Sequence, residues 1–119
     1  MDLYDAMSTL RAVRRLRPDP IDEAVVERVL TAATWAPTGG NTQPWRIVAV
    51  TEPDVKQSLQ DLYQPHWDAY LPGYEARLAH MADDAKASST KAMDAGNYLA
   101  AHMYEVPLIA ICCFTPKLM

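Results

Sequence analysis

The pattern of apolar and polar residues predicts two helices at the start of the chain. Over residues 2–12, apolar side chains recur at helical spacing, and Asp2 stands where an N-cap is expected. The proline-containing stretch 17–21 ends this pattern, because proline disfavours a continuing helix. Over residues 23–36 a second apolar stripe follows Asp22, another typical N-cap residue.

The rest of the chain predicts more helix and two strands. Residues 46–51 and 106–114 are apolar runs rich in β-formers, and the second is continuous enough for a central strand covered on both faces. Between them, residues 54–63 and the alanine-rich stretch 64–104 favour helix, with a break expected at Pro72-Gly73. The predicted order is two helices, a strand, three helices and a strand, an α+β fold.

Two strands make an incomplete sheet, since a central strand needs a neighbour on each side. The sequence offers no third apolar run of strand length. We therefore expect residues 1–119 to be a single partial domain, truncated after the second strand or completed by a partner.

Charge and composition exclude several classes of protein. The formal net charge is −4, whereas a dedicated nucleic-acid-binding domain is usually basic. No apolar run approaches the roughly 20 residues of a membrane span, and the N-terminus lacks the pattern of a signal peptide, so we expect a cytoplasmic protein. Cys112 and Cys113 are adjacent in a predicted strand, which favours buried, unbridged thiols, and no metal-ligand spacing occurs.

Four arginines lie within seven residues, and we call Arg11–Arg17 the basic segment. Arg11 and Arg14 would share a face if the first helix continued through them. One interpretation is solvated charge near a helix C-terminus, which the helix dipole favours. The other is an anion site, because the planar guanidinium suits phosphate.

A stretch of eight small, polar or rigid residues, Pro37–Pro44, separates the second helix from the first strand, and we call it the polar loop. Its glycines permit close approach of a ligand to the backbone, and its side chains supply hydrogen-bond donors and acceptors. Two interpretations explain this composition equally well. One is a stiff turn with local capping bonds, and the other is a binding surface for a heterocycle.

Four aromatic residues at helical spacing form what we call the aromatic row: Tyr63, Trp67, Tyr70 and Tyr74. One interpretation of this row is packing in the core or at an interface, and the other is a mobile helical cover over a pocket. The chain contains neither GxSxG nor HExxH, so an enzyme built from it would rely on a bound cofactor.

The two motifs together resemble a known family. The segment 11-RAVRRLRPDPI-21 is similar to the N-terminal signature of the nitroreductase family of FMN-dependent oxidoreductases. The segment 33-ATWAPTGGNTQPWRIVAV-50 resembles that family's A-P-S-x-x-N-x-Q-P-W stretch before a strand. The resemblance implies a nitroreductase-like fold, with helices around a small antiparallel sheet.

The resemblance also implies site residues. Arg11 matches a phosphate-binding position that Arg15 would assist, and Arg14 matches the basic position near the pyrimidine edge of the flavin. Ala12 replaces a common serine, which leaves only its backbone N–H. The implied FMN-binding residues are Arg11, Ala12, Arg14, Arg15, Pro37, Thr38, Gly39, Asn41 and Gln43.

The implied activity is hydride transfer from NAD(P)H through FMN to a nitroaromatic, a quinone or a similar small-molecule acceptor. The implied assembly is a homodimer with FMN at the subunit interface, the polar loop facing flavin held mainly by the other subunit. Family members are longer than this chain, so one alternative is an inactive remnant that binds flavin or dimerises. A third hypothesis is an anion or nucleic-acid binder that uses the basic segment.

Overall fold

Four helices and two strands make up the fold, in a computed structural model that describes residues 2–115. The predicted α+β class is confirmed, with the helices beside a small antiparallel sheet. The elements are α1 (Leu3–Thr9), α2 (Glu23–Thr34), β1 (Trp45–Val50), α3 (Pro53–Leu78), α4 (Asp83–His102) and β2 (Ile109–Phe114).

Both predicted N-caps are confirmed. The Asp2 carboxylate accepts a hydrogen bond from the Asp5 N–H at 2.9 Å, and the Asp22 carboxylate accepts one from the Ala24 N–H at 2.8 Å. Each bond satisfies a backbone donor that has no partner within its own helix.

The prediction that the first helix reaches residue 12 was wrong, because α1 ends at Thr9. The hydroxyls of Ser8 and Thr9 both donate to the Asp5 carbonyl, a local competition that weakens a helix end. The basic segment is therefore irregular, and its arginines do not share a helix face.

The two strands pair antiparallel, with Ile47 opposite Cys112 and Val48 opposite Ile111. The Thr115 N–H also donates to the Pro44 carbonyl at 2.7 Å, so the pairing reaches back to the end of the polar loop. The strand register thus fixes where this loop ends.

The sheet is less covered than the sequence predicts. Cys112 and Cys113 are free thiols as predicted, but both are exposed rather than buried. Among residues 2–115, β2 has only β1 as a neighbour and no helix packs closely over its whole length, so half or more of this apolar strand stays accessible.

The helix α3 runs unbroken through Pro65 and Pro72, so the predicted break at Pro72-Gly73 was wrong. The two prolines are seven residues apart and lie on one exposed face, where water can hydrate the carbonyls they leave unbonded. Trp67 and Tyr74 project from the opposite side and contact α4. Packing on that side keeps the helix continuous, and the chain turns only between α3 and α4.

The contact between α3 and α4 depends on one glycine. A Cβ built on Gly96 would lie 2.6 Å from the Trp67 ring, so only glycine admits the indole at this distance. The Trp67 N–H donates to the Asn97 side-chain oxygen at 2.9 Å, and the Tyr74 hydroxyl donates to the Ser89 carbonyl at 3.2 Å. The fit of the indole against the glycine and the two hydrogen bonds therefore favour the same pairing of α3 with α4.

A buried lysine joins this helix pair to the sheet. Lys56, in the first turn of α3, is 7% exposed, and its ammonium group donates to the Val106 carbonyl at 2.6 Å. Val106 lies just before β2 and is buried with Val50, Leu78 and Ala100. Loss of the lysine would leave a buried carbonyl without its donor, which costs about 1–3 kcal/mol.

The fold leaves much apolar surface open. The accessible surface is 9302 Å², against about 6,500 Å² for a folded monomer of this size. The radius of gyration is 17.6 Å, against about 13.5 Å for a compact domain. On α1, Leu3 and Met7 are 70% and 67% exposed. The described chain therefore presents apolar faces that it does not itself cover.

We predict that Gly96→Ala lowers the free energy of unfolding by about 1–3 kcal/mol, because the added methyl collides with the Trp67 ring. Urea denaturation measures the change. Gly73→Ala is the matched control, since its Cβ meets open space within α3. Alanine should stabilise that exposed helical position by about 0.5–1 kcal/mol. Equal effects at both sites would contradict the proposed role of the Trp67 contact.

Candidate functional site

The polar loop has an unusual backbone. Gly40, Asn41 and Gln43 adopt positive φ angles of 58°, 54° and 47°. Glycine adopts such angles freely, whereas a residue with a Cβ does so at a cost of about 1 kcal/mol or more. Two non-glycine residues within three positions therefore need compensating interactions.

A side-chain network provides that compensation. The Gln43 N–H and its side-chain amide both donate to the Thr38 hydroxyl oxygen, at 3.1 and 3.0 Å. The same Gln43 amide donates to the Asn41 side-chain oxygen at 2.9 Å. The Asn41 N–H donates to the Thr38 carbonyl at 2.9 Å, which closes a 3-10 turn over Gly39–Asn41. The structure thus brings together three of the predicted site residues.

The polar loop leads directly into a groove between α2 and β1. This groove has a volume of about 750 Å³, and Val26, Leu30, Trp45 and Ile47 contribute its apolar wall. The indole N–H of Trp45 is buried and makes no hydrogen bond within the part of the chain that the structure describes. Pro37 and Gly39, also predicted site residues, lie exposed at the other end of the loop.

Arg11 turns back on α1. Its guanidinium donates to the carbonyls of Ser8 and Leu10, at 3.1 and 2.7 Å. This geometry agrees with the interpretation of arginine as a charge at a helix C-terminus. The Arg11 side chain remains exposed, as does Ala12 beside it, so its remaining N–H groups are accessible to a ligand.

Arg14 and Arg15 turn towards the long helices instead. Arg14 is half-buried and lines a cavity of about 300 Å³ between the aromatic row and Gly96. The Arg15 guanidinium lies 4.1 Å from the centre of the Tyr98 ring, a cation–π contact.

Sequence reasoning missed Tyr98 and His102. Their rings stack 4.1 Å apart at the C-terminal end of α4, and the His102 Nδ1 lies 2.8 Å from the Tyr98 carbonyl. Their spacing of four residues on a predicted helix was the available signal. Nothing in the sequence indicated that Arg15 would reach this pair, because that contact joins residues distant in the chain.

The aromatic row forms a continuous ladder along α3. Successive ring centres are 6.3, 5.6 and 5.7 Å apart, within the range of favourable aromatic pairs. Trp67 and Tyr74 are partly buried against α4, whereas Tyr63 and Tyr70 are exposed. The row therefore packs towards α4 and, on that same side, supplies a wall of the Arg14 cavity.

The candidate site consists of two separate parts. Across residues 2–115, no hydrogen bond or ion pair links the basic segment to the polar loop. The same residues contain no cluster of histidine, cysteine, aspartate or glutamate able to hold a metal ion. No helix in that range combines the length and the hydrophobicity needed to cross a membrane.

Comparison with curated proteins identifies several relatives. An NADH dehydrogenase of Thermus thermophilus is 41% identical over 61 residues, which are 51% of this chain and 30% of that protein. A 5,6-dimethylbenzimidazole synthase of Rhodobacter capsulatus is 43% identical over 57 residues, which are 48% of this chain and 28% of that protein. The matched segments thus span under a third of these relatives.

Solved structures match over a larger part of the chain. A structure of oxidized iodotyrosine deiodinase bound to FMN and 3-iodo-L-tyrosine superposes with a TM-score of 0.67 at 21% identity. The match covers 93% of this chain and 55% of the deiodinase chain. At this identity, the likeness establishes the fold.

The profile of the Nitroreductase family matches residues 9–113. This range contains both sequence motifs, the helix pair and most of the sheet. The sequence resemblance and the fold therefore agree, and the chain belongs to the Nitroreductase family.

Proposed function

We propose that the protein is an FMN-dependent oxidoreductase that passes hydride from NAD(P)H, through FMN, to a nitroaromatic, a quinone or a similar acceptor. The observation that carries this proposal is the polar loop, whose strained backbone and bonded side chains hold hydrogen-bonding groups in fixed positions. The curated relatives catalyse different reactions, so the acceptor class belongs to the proposal. The cytoplasmic location predicted above belongs to it as well.

The donors of the basic segment fit a phosphate group. Arg17 is already paired with Asp19 at 2.8 Å, whereas Arg14 and Arg15 form no ion pair among residues 2–115. Arg15 donates no hydrogen bond within residues 2–115, and Arg11 retains donors beyond the one nitrogen that bonds Ser8 and Leu10. These arginines would hold the phosphate, with the Ala12 N–H as a further donor.

The polar loop fits the heterocycle of the same cofactor. Thr38 and Asn41 carry hydrogen-bonding groups, Gly39 permits a close approach, and Pro37 stiffens the entrance. When bound, FMN supplies the hydride chemistry, for which the chain has no catalytic side-chain motif. A cation such as Arg14 beside the ring would favour the anionic form of a bound ligand.

We further propose a homodimer with FMN at the interface. Within residues 2–115 no hydrogen bond or ion pair joins the two parts, and in the proposed homodimer the polar loop of one copy would face the basic segment of the other. The exposed apolar side chains of α1, including Leu3 and Met7, offer a surface that association would bury.

A second candidate function is a flavin-binding or dimerisation module without turnover. The small buried core favours it, because few side chains hold the described residues together. Weak packing is unsuited to the fixed geometry that catalysis requires.

Titration of the purified protein with FMN tests both candidates. Binding should appear as flavin absorbance near ~450 nm that remains with the protein after gel filtration. Anaerobic NADH or NADPH should then bleach this absorbance, and a quinone should restore it. Binding without bleaching would identify a non-catalytic flavin-binding module, and a protein that stays colourless would overturn the oxidoreductase and leave only the dimerisation module.

We predict that Arg11→Ala weakens FMN binding by about 1.5–3 kcal/mol, the value of a hydrogen bond to a charged group. Fluorescence quenching of FMN measures the affinity. Arg17→Ala is the matched control, because Asp19 already neutralises the charge of Arg17 in an ion pair. A loss no larger than that of the control would contradict the phosphate assignment.

We predict that Tyr98→Leu weakens FMN binding by about 0.5–1 kcal/mol, because Arg15 loses its cation–π support. Tyr98→Phe retains the ring and should bind as the parent protein does. Isothermal titration of both variants gives the comparison. Equal losses in the two variants would show that the Arg15 contact contributes nothing to FMN affinity.

A further inference from the structure

The side-chain NH₂ group of Gln43 is fully used within the polar loop. Its two N–H bonds point to two acceptors, the Thr38 hydroxyl oxygen at 3.0 Å and the Asn41 side-chain oxygen at 2.9 Å. An amide nitrogen has only two hydrogens. Gln43 therefore has no donor left for a ligand, although its position in the sequence motif suggests a ligand contact.

This arrangement determines which hydrogen-bonding groups of Thr38 and Asn41 remain available to a ligand. The Thr38 oxygen accepts two hydrogen bonds, from the Gln43 backbone and side chain, so its own hydroxyl hydrogen is free to donate. The Asn41 oxygen is occupied by Gln43, so its NH₂ group is free. Thr38 and Asn41 therefore each keep one free donor group, while the acceptors that remain are the Gln43 side-chain oxygen and the second lone pair of the Asn41 oxygen.

The backbone conformation at Gln43 indicates a role beyond turn formation. A simple turn would place glycine at a φ of 47°, yet this position holds glutamine. Glutamine retains this conformation because its side chain ties Thr38 to Asn41. Strain that is compensated by such a network is typical of functional sites.

We propose that Gln43 is a positioning residue that orients the free donors of Thr38 and Asn41 towards the acceptor-rich edge of a heterocycle. It acts through Thr38 and Asn41, whose hydroxyl hydrogen and NH₂ group the network leaves unbonded. The identity of that heterocycle as flavin rests on the proposed function. The hydrogen-bond polarity of the loop does not, and it can be measured without any ligand.

Side-chain amide exchange in the ligand-free protein tests the polarity directly. NMR spectra of the ¹⁵N-labelled protein should show both Gln43 NH₂ hydrogens protected from solvent exchange and both Asn41 NH₂ hydrogens exchanging freely. The reverse amide orientation would place the Gln43 oxygen between Thr38 and Asn41. Protection of an Asn41 hydrogen in place of those of Gln43 would therefore overturn the proposal, whether or not the protein binds FMN.

Two substitutions then test the consequence for binding. Gln43→Glu keeps the shape of the side chain but supplies only acceptors, so Thr38 and Asn41 must turn their donors inward. Gln43→Met removes the network without adding charge. We expect each to weaken FMN binding about tenfold and to change the visible spectrum of bound FMN, an effect that lost stability alone would not produce.

Thr42→Ala is the matched control, because it removes a loop hydrogen bond to the Gly39 carbonyl that lies outside the network. Its FMN affinity should stay within about twofold of the parent value. If the parent protein binds FMN and Gln43→Glu binds equally well, the positioning role is wrong and the proposed function stands. If the parent protein does not bind FMN, the proposed function fails, and the exchange experiment still decides the polarity of the loop.

Discussion

The packing of α3 against α4 is the contact on which the other parts of the structure depend. The Trp67 indole fits only because Gly96 has no side chain, and Asn97 holds the indole N–H. The helix α4 carries Tyr98, the support of Arg15, and leads through Val106 into β2. The basic segment therefore takes its position from this helix pair, whereas the polar loop is connected to it only through the pairing of β1 with β2.

The two parts of the site are held in different ways. The polar loop is stabilised from within, since Thr38, Asn41 and Gln43 bond one another and the strand pairing fixes its end. The basic segment has no regular structure, and contacts with distant side chains orient Arg14 and Arg15. A ligand that bridges the two parts would thus join a rigid element to one that depends on tertiary contacts.

Local signals in the sequence predicted the features that local chemistry controls. Asp2 and Asp22 cap their helices because a short carboxylate satisfies a free N–H wherever it occurs. The predicted break at Pro72 failed because packing on the other side of α3 outweighs the loss of one backbone bond. The predicted burial of Cys112 failed because covering a strand depends on elements distant in the chain.

Patterns in the sequence alone were enough to predict the α+β class, the starts of the first two helices, the family resemblance and the residues of both motifs, because capping, periodicity and motif spacing are properties of neighbouring residues. The three-dimensional structure was needed to show that Arg15 lies against the Tyr98 ring and that the Gln43 side-chain NH₂ donates to the side-chain oxygens of Thr38 and Asn41. It also decided that the motifs form two unconnected parts. Each of these depends on distances and hydrogen-bond directions, which a linear pattern does not contain.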